Sequence, residues 1–150
     1  MKLDRVELKK WLLASAPARA RGQFVFLQDP FATDEEREKI DALWKASEKA
    51  LRIAAASETE PALRGWICIP TGGSSGRTRF ARHDEETISA AVSGFCLHYG
   101  ISRVNAVNVL PLYHVSGLIA QMRCLATEGT YVPWEWRNLA AGDWPSLTKS

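Results

Sequence analysis

The sequence predicts an α/β fold with at least a partly parallel sheet, and three observations carry that expectation. From Trp66 onward, short apolar runs rich in β-branched residues alternate with longer stretches whose apolar residues recur every three to four positions. Glycine or proline punctuates the ends of these segments, as at Gly100, Pro111 and Gly129. The chain of 150 residues is 46% hydrophobic and 24% charged, the range in which a single globular core forms. Strands alternating with helices imply crossover connections.

In chain order, Leu3, Val6 and Leu13, with Trp11 and Leu12, predict a short amphipathic helix ending near Pro17, and Arg19 to Arg21 read as a basic connector. Phe24 to Leu27, bounded by Gly22 and Asp29-Pro30, predicts a strand. Thr33 and Glu36 form a capping-box pattern, after which Ile40, Leu43, Trp44, Ser47, Leu51 and Ala54 follow on one helical face. The opposite face, with Glu35, Glu36, Arg37, Glu38 and Lys39, reads as solvated.

Trp66 to Ile69 predicts a strand that runs into a glycine-rich loop, Thr71 to Gly76. Asp84 can cap a helix carrying Ile88, Ala91, Val92, Phe95, Cys96 and Tyr99, with Gly100 as its stop. Val104 to Leu110 predicts a strand closed by Pro111. Ser116 to Thr127 predicts a helix burying Leu118, Ile119, Met122 and Leu125, stopped at Gly129, and Thr130 to Val132 a last strand. Beyond Pro133 the chain is tryptophan-rich and aperiodic, with Trp134, Trp136 and Trp144 suited either to packing or to stacking on a planar ligand.

Nineteen basic and seventeen acidic residues are mixed along the chain for a net charge of +2, so no field of one sign points to nucleic acid. Cys68, Cys96 and Cys124 lack the close spacing of a zinc or redox motif and read as free, mostly buried thiols. Asp4, Glu7, Lys9 and Lys10 interrupt any signal-peptide apolar core, and no apolar run approaches the roughly 20 residues that span a bilayer, so a soluble, cytoplasmic chain is expected.

Two motifs carry chemistry. IPTGGSSGRTRFA, Ile69 to Ala81, packs three glycines and four hydroxyl residues beside two arginines. Glycines let backbone N–H groups approach an anion, hydroxyls add donors and arginine neutralises phosphate charge. The spacing is not that of a Walker A loop, since only three residues separate Gly72 from Gly76 and arginine stands where that loop has lysine. A solvent-exposed turn is the plain alternative. PLYHVSGL, Pro111 to Leu118, follows one predicted strand and opens a predicted helix, so His114 falls where ligands of α/β sheets lie; a packing histidine is the plain alternative here. His83 reads as a surface histidine at a helix entry, and His98 as a cation favoured near a helix end.

In this order and at this separation, the two motifs resemble those of the adenylate-forming superfamily, and the wording from IPTGGSSG through RFARH and Gly94-Phe95 to LPLYHVSGL is similar to the o-succinylbenzoate–CoA ligases within it. The resemblance covers residues 66–136. It implies the amino-terminal part of an adenylation domain, truncated at 150, with a partly parallel sheet and flanking helices. It further implies ATP, Mg2+ and CoA as co-substrates and a small carboxylic acid such as o-succinylbenzoate as substrate. Thr71, Gly72, Gly73, Ser74, Ser75, Gly76 and Arg79 would hold the phosphates, and His114 would border the acid. Thr78 and Arg79 depart from the proline and lysine usual there; arginine keeps the charge with a different reach. The segments that supply the superfamily's magnesium-binding glutamate and catalytic lysine lie downstream of its second motif, so the chain is expected to be a fragment and inactive alone. A non-catalytic nucleotide-binding module, an interaction module and a ligase for another aryl or fatty acid are the alternatives.

Overall fold

A computed structural model of the chain describes residues 4–15, 17–21, 24–30, 34, 37–38, 41–42, 45–46, 49, 65–71 and 79–146. The chain divides into two compact units, one formed by Met1–Lys10 with Glu85–Ser150 and the other by Trp11–Asp84. The first helix, α1 (Arg5–Ser15), contributes to both. Asp4 caps it by accepting from the backbone N–H of Val6 at 2.7 Å and of Glu7 at 3.2 Å. Its buried positions are Leu8 and the predicted Leu12, one turn apart, whereas the predicted Val6 and Leu13 are exposed.

The unit Trp11–Asp84 is built on a four-stranded sheet in the order β1 (Ala18–Arg21), β2 (Phe24–Leu27), β3 (Ile67–Thr71), β4 (Arg79–His83). β1 pairs antiparallel with β2, β2 parallel with β3, and β3 antiparallel with β4, so the sheet is mixed. Phe24 to Leu27 and Ile67 to Ile69 are all buried, as both faces of a central strand require. On one face Phe26 packs edge-on to Phe80 at 5.4 Å and lies 6.5 Å from Phe24.

Two segments differ from expectation. The basic connector Arg19 to Arg21 belongs to edge strand β1, and RFARH, which carries no apolar run, forms β4. Both are charged edges flanking an apolar centre, a composition that blunts edge-to-edge pairing. The parallel β2 and β3 are joined by a segment in which Asp34, Arg37, Glu38, Asp41, Ala42, Lys45, Ala46 and Lys49 are helical. Arg37 and Glu38 are exposed, as predicted for the charged face, and Asp41 accepts from Arg19 at 3.2 Å. Thr33, Glu36 and the predicted apolar face from Ile40 to Ala54 lie outside the described residues.

The other unit contains α2 (Glu85–Tyr99), β5 (Ala106–Asn108), α3 (Val115–Ala126), β6 (Tyr131–Pro133) and α4 (Trp136–Ala140). β5 and β6 are parallel and α3 is the crossover between them, as the alternation of strand and helix predicts. α2 buries Ile88 and Val92, with Phe95 and Cys96 half-buried, while Ala91 and Tyr99 are exposed. It ends in a Schellman motif: Gly100 takes φ +63°, its N–H donates to Leu97 O, and Ile101 N–H donates to Cys96 O at 3.0 Å.

α3 buries Leu118, Ile119 and Met122 as predicted, but Cys124 in place of Leu125, which is exposed. Its end corrects the predicted stop. Glu128 N–H donates to Leu125 O and Gly129 N–H to Cys124 O, so the left-handed position belongs to Glu128, at φ 53°. Gly129 is glycine for another reason: a Cβ there would lie 1.8 Å from the carbonyl oxygen of Val104. α4 was not predicted, being too short to show a helical period. Among the described residues, no helix is long and apolar enough to cross a membrane.

Candidate functional site

The glycine-rich segment joins two paired antiparallel strands, β3 and β4. Thr71 and Arg79 are Cα partners at the end of the β3–β4 ladder. Pairing continues without interruption through Pro70↔Phe80, Ile69↔Ala81, Cys68↔Arg82 and Ile67↔His83. β3 is buried from Ile67 to Ile69, and Thr71 is exposed at its end. Arg79 opens β4. Gly72, Gly73, Ser74, Ser75 and Gly76 lie outside the described residues. His83 closes β4 and is half-buried, with its carbonyl accepting from Trp66 N–H at 3.0 Å, so it is a sheet residue and not the predicted surface histidine of a helix entry.

The second motif turns β5 into α3. Asn108, the last residue of β5, is buried, and its Nδ2 donates to Leu110 O at 2.9 Å and to Tyr131 Oη at 2.8 Å, with Gly117 O at 3.4 Å. Its Oδ1 accepts from Leu110 N–H at 3.2 Å. His114 N–H donates to Pro111 O at 3.1 Å, closing the turn. The absence of a side chain at Gly117 lets the first turn of α3 settle onto these carbonyls, for a Cβ would meet Pro111 O at 2.2 Å and Leu110 O at 2.7 Å.

His114 is the N-cap of α3, in extended conformation at φ −96° and ψ 141°, and its imidazole makes no capping hydrogen bond. The ring is exposed, 4.7 Å from that of Tyr113 and tilted by 42°. An exposed imidazole therefore stands at the carboxyl end of a parallel strand and at the amino end of a twelve-residue helix, a placement suited to meeting an anionic group. The two motifs fall in different compact units.

Asn108, Gly117 and Tyr131 were not singled out from sequence. The available signal was the polar Asn108 inside the run Val104 to Leu110, where asparagine is unfavourable unless its amide is used.

Elsewhere in the same unit, Ser89, Val92, Ser93, Cys96, Ser102, Ala126 and Thr127 line a cavity of about 250 Å3. Arg123 lies 4.0 Å over the Phe95 ring. The three cysteines are free: Cys68 and Cys124 are buried and Cys96 half-buried. Burial pushes the Cys68 thiol up to about 12, against the opposing pull of Arg82, and raises that of Cys124 as well. A raised thiol pKa disfavours the reactive thiolate. Trp134 donates from Nε1 to Asp143 O at 3.0 Å, while Trp136 and Trp144 are exposed. Among the described residues, no three His, Cys, Asp or Glu side chains converge to hold a metal ion.

No protein-family model, characterised protein or solved structure matches the chain.

Proposed function

We propose that this chain carries the phosphate-binding and acid-binding motifs of an ATP-dependent acid–CoA ligase, with an aromatic dicarboxylate such as o-succinylbenzoate as the acid. The observation that carries the reading is the pairing of Thr71 with Arg79 at the end of a strand buried from Ile67 to Ile69, with the sequence GGSSGRT between them. A loop of this composition offers several N–H and O–H donors to one polyphosphate, and such donors stabilise developing charge.

In the first step of the proposed reaction a carboxylate oxygen of the acid attacks the α-phosphorus of ATP. The bond from that phosphorus to the bridging oxygen breaks, and pyrophosphate leaves. Ser74, Ser75, Arg79 and the N–H groups of Gly72, Gly73 and Gly76 would hold the β- and γ-phosphates, orienting the leaving group and offsetting its charge. In the second step the CoA sulfur attacks the acyl carbon and AMP leaves, giving the thioester. His114 would border the acid, where its exposed ring at the start of α3 faces incoming carboxylate. Mg2+ would enter with ATP, as part of that substrate.

Titration of the chain with Mg·ATP and with AMP, in wild type and Arg79→Ala, tests the phosphate role. A lost charge-assisted contact should weaken ATP by about 10- to 100-fold. AMP, which lacks the β- and γ-phosphates, should change by less than about twofold on the same argument. Equal losses for the two nucleotides would remove Arg79 from the phosphate site.

A further inference from the structure

Asn108 is the one polar residue buried among the described residues, and two of its bonds fasten Leu110 in the turn that presents His114. The carboxamide clamps Leu110 from both sides, donating to its carbonyl at 2.9 Å and accepting from its N–H at 3.2 Å. The same Nδ2 reaches Tyr131 on β6 and Gly117 in the first turn of α3. One side chain therefore ties the end of β5, the turn, the start of α3 and the start of β6.

Apolar burial does little to hold this turn. Leu110, His114 and Val115 are exposed and Leu112 and Tyr113 only half-buried, and the fastening by Asn108 is polar. The chemistry selects asparagine, since ionised aspartate could accept from Leu110 N–H and the Tyr131 hydroxyl but offers no donor to Leu110 O, and leucine offers neither donor nor acceptor. Released from Leu110, the turn would lose both of those side-chain fastenings and lean on the His114 N–H to Pro111 O bond, the Leu118 N–H to His114 O bond and the close seat of Gly117, so the direction of the His114 ring would be less firmly set.

We propose that Asn108 is a positioning residue for His114, fixing the turn so that the imidazole is held at the amino end of α3 and against Tyr113 in the orientation that meets the acid. The proposal rests on the reading of His114 as bordering the acid site, and goes beyond it by naming the buried group that makes the site specific in shape.

The test uses the full chain, isotopically labelled, with two NMR readouts. The first is the His114 ring shifts and the contacts between the Tyr113 and His114 rings; the second is the affinity for o-succinylbenzoate. In Asn108→Asp the ring contacts should vanish and affinity fall about tenfold or more, as expected for lost buried hydrogen bonds. The methyl resonances of Ile88 and Val92 should stay where they are, which separates loss of position from loss of fold. Tyr131→Phe, which removes one bond and leaves the Leu110 clamp, should shift the same His114 signals and weaken binding by about two- to fivefold.

Unchanged His114 signals in folded Asn108→Asp would overturn the proposal. Should Asn108→Asp fail to fold, unchanged signals in Tyr131→Phe would do so. His114→Ala separates the two ideas: if it leaves o-succinylbenzoate affinity intact, the acid-site reading falls, while the ring contacts still decide whether Asn108 sets the turn.

Discussion

In the four-stranded sheet the central strands bury every side chain from Phe24 to Leu27 and from Ile67 to Ile69, whereas the parallel pair β5 and β6 buries one alone, the polar Asn108. Parallel strands are usually apolar on both faces. Here the pair is fastened differently. Asn105 Oδ1 accepts from Thr130 N–H at 2.8 Å, Thr127 Oγ1 accepts from Val104 N–H at 2.9 Å and donates to Arg123 O at 2.7 Å, and Asn108 binds Leu110 and Tyr131. Close backbone contacts at Gly117 and Gly129 complete the arrangement. Apolar burial is non-directional and tolerates small adjustments, while hydrogen bonds and glycine contacts hold a backbone to one geometry. A loop on the first support depends on bulk packing, and a turn on the second depends on a few atoms.

The largest effect should come from the apolar side of that comparison. Phe26 is completely buried between Phe24 and Phe80, so Phe26→Ala removes the ring and leaves a cavity, with an expected loss of about 3–5 kcal/mol. Urea denaturation followed by circular dichroism measures it. A loss below about 1 kcal/mol would show that the sheet collapses onto the space and is not packed as described.

Gly129→Ala breaks the second kind of support. A methyl group 1.8 Å from Val104 O cannot be accommodated without moving one backbone segment off the other, and overpacking of this sort costs about 1–3 kcal/mol. Hydrogen exchange should locate the damage, with faster exchange at Ala106 N–H, which donates to Thr130 O, and at Val104 N–H, bound to Thr127. Protection left unchanged at both amides would contradict the close approach.

The same contrast governs what the sequence could reveal. The run FVFL reads as a strand because its signal is apolar and local, and Gly100 reads as a stop because only its own φ matters. β1 and β4 were invisible as strands: ARAR and RFARH are edge strands whose partners supply the apolar surface, and register is a tertiary fact. Gly129 illustrates the limit most sharply. Its presence was legible and its reason was not, because the atom it avoids belongs to Val104, far back in the chain. At the candidate site the residue types of Thr71, Arg79 and His114 were readable, and the hairpin pairing and the Asn108 clamp were not, since each requires knowing which segments meet.

Cys68 sharpens the comparison through pH. Its thiol is raised to about 12 in the folded chain from an ordinary value of 9.0, so between those values the unfolded state releases a proton that the folded state keeps. Stability from this group is full below pH 9 and falls by about 1.4 kcal/mol per pH unit above it. Other groups titrate there too, so the readout is the difference between wild type and Cys68→Ala: urea midpoints measured from pH 8 to 10.5 should decline more steeply in wild type. Parallel declines would mean that Cys68 is hydrated in the folded chain.

The smallest effect, and the only stabilising one, is expected next to Gly129. Glu128 sits at φ 53° in the Schellman position that glycine ordinarily fills, and the left-handed conformation costs an L-residue about 1–2 kcal/mol. Its side chain is exposed. Replacing it by glycine relieves that cost but restores flexibility to the unfolded chain, which opposes the gain by about 0.5–1 kcal/mol. Glu128→Gly should therefore stabilise by about 0.5–1 kcal/mol, read as a higher urea midpoint with an unchanged slope. Adjacent residues are thus expected to respond in opposite directions, glycine being gained at 128 and lost at 129. A lower midpoint for Glu128→Gly would place a favourable interaction on the Glu128 side chain that outweighs the strain, and would move the end of α3 from backbone geometry into the group of contacts held by side chains.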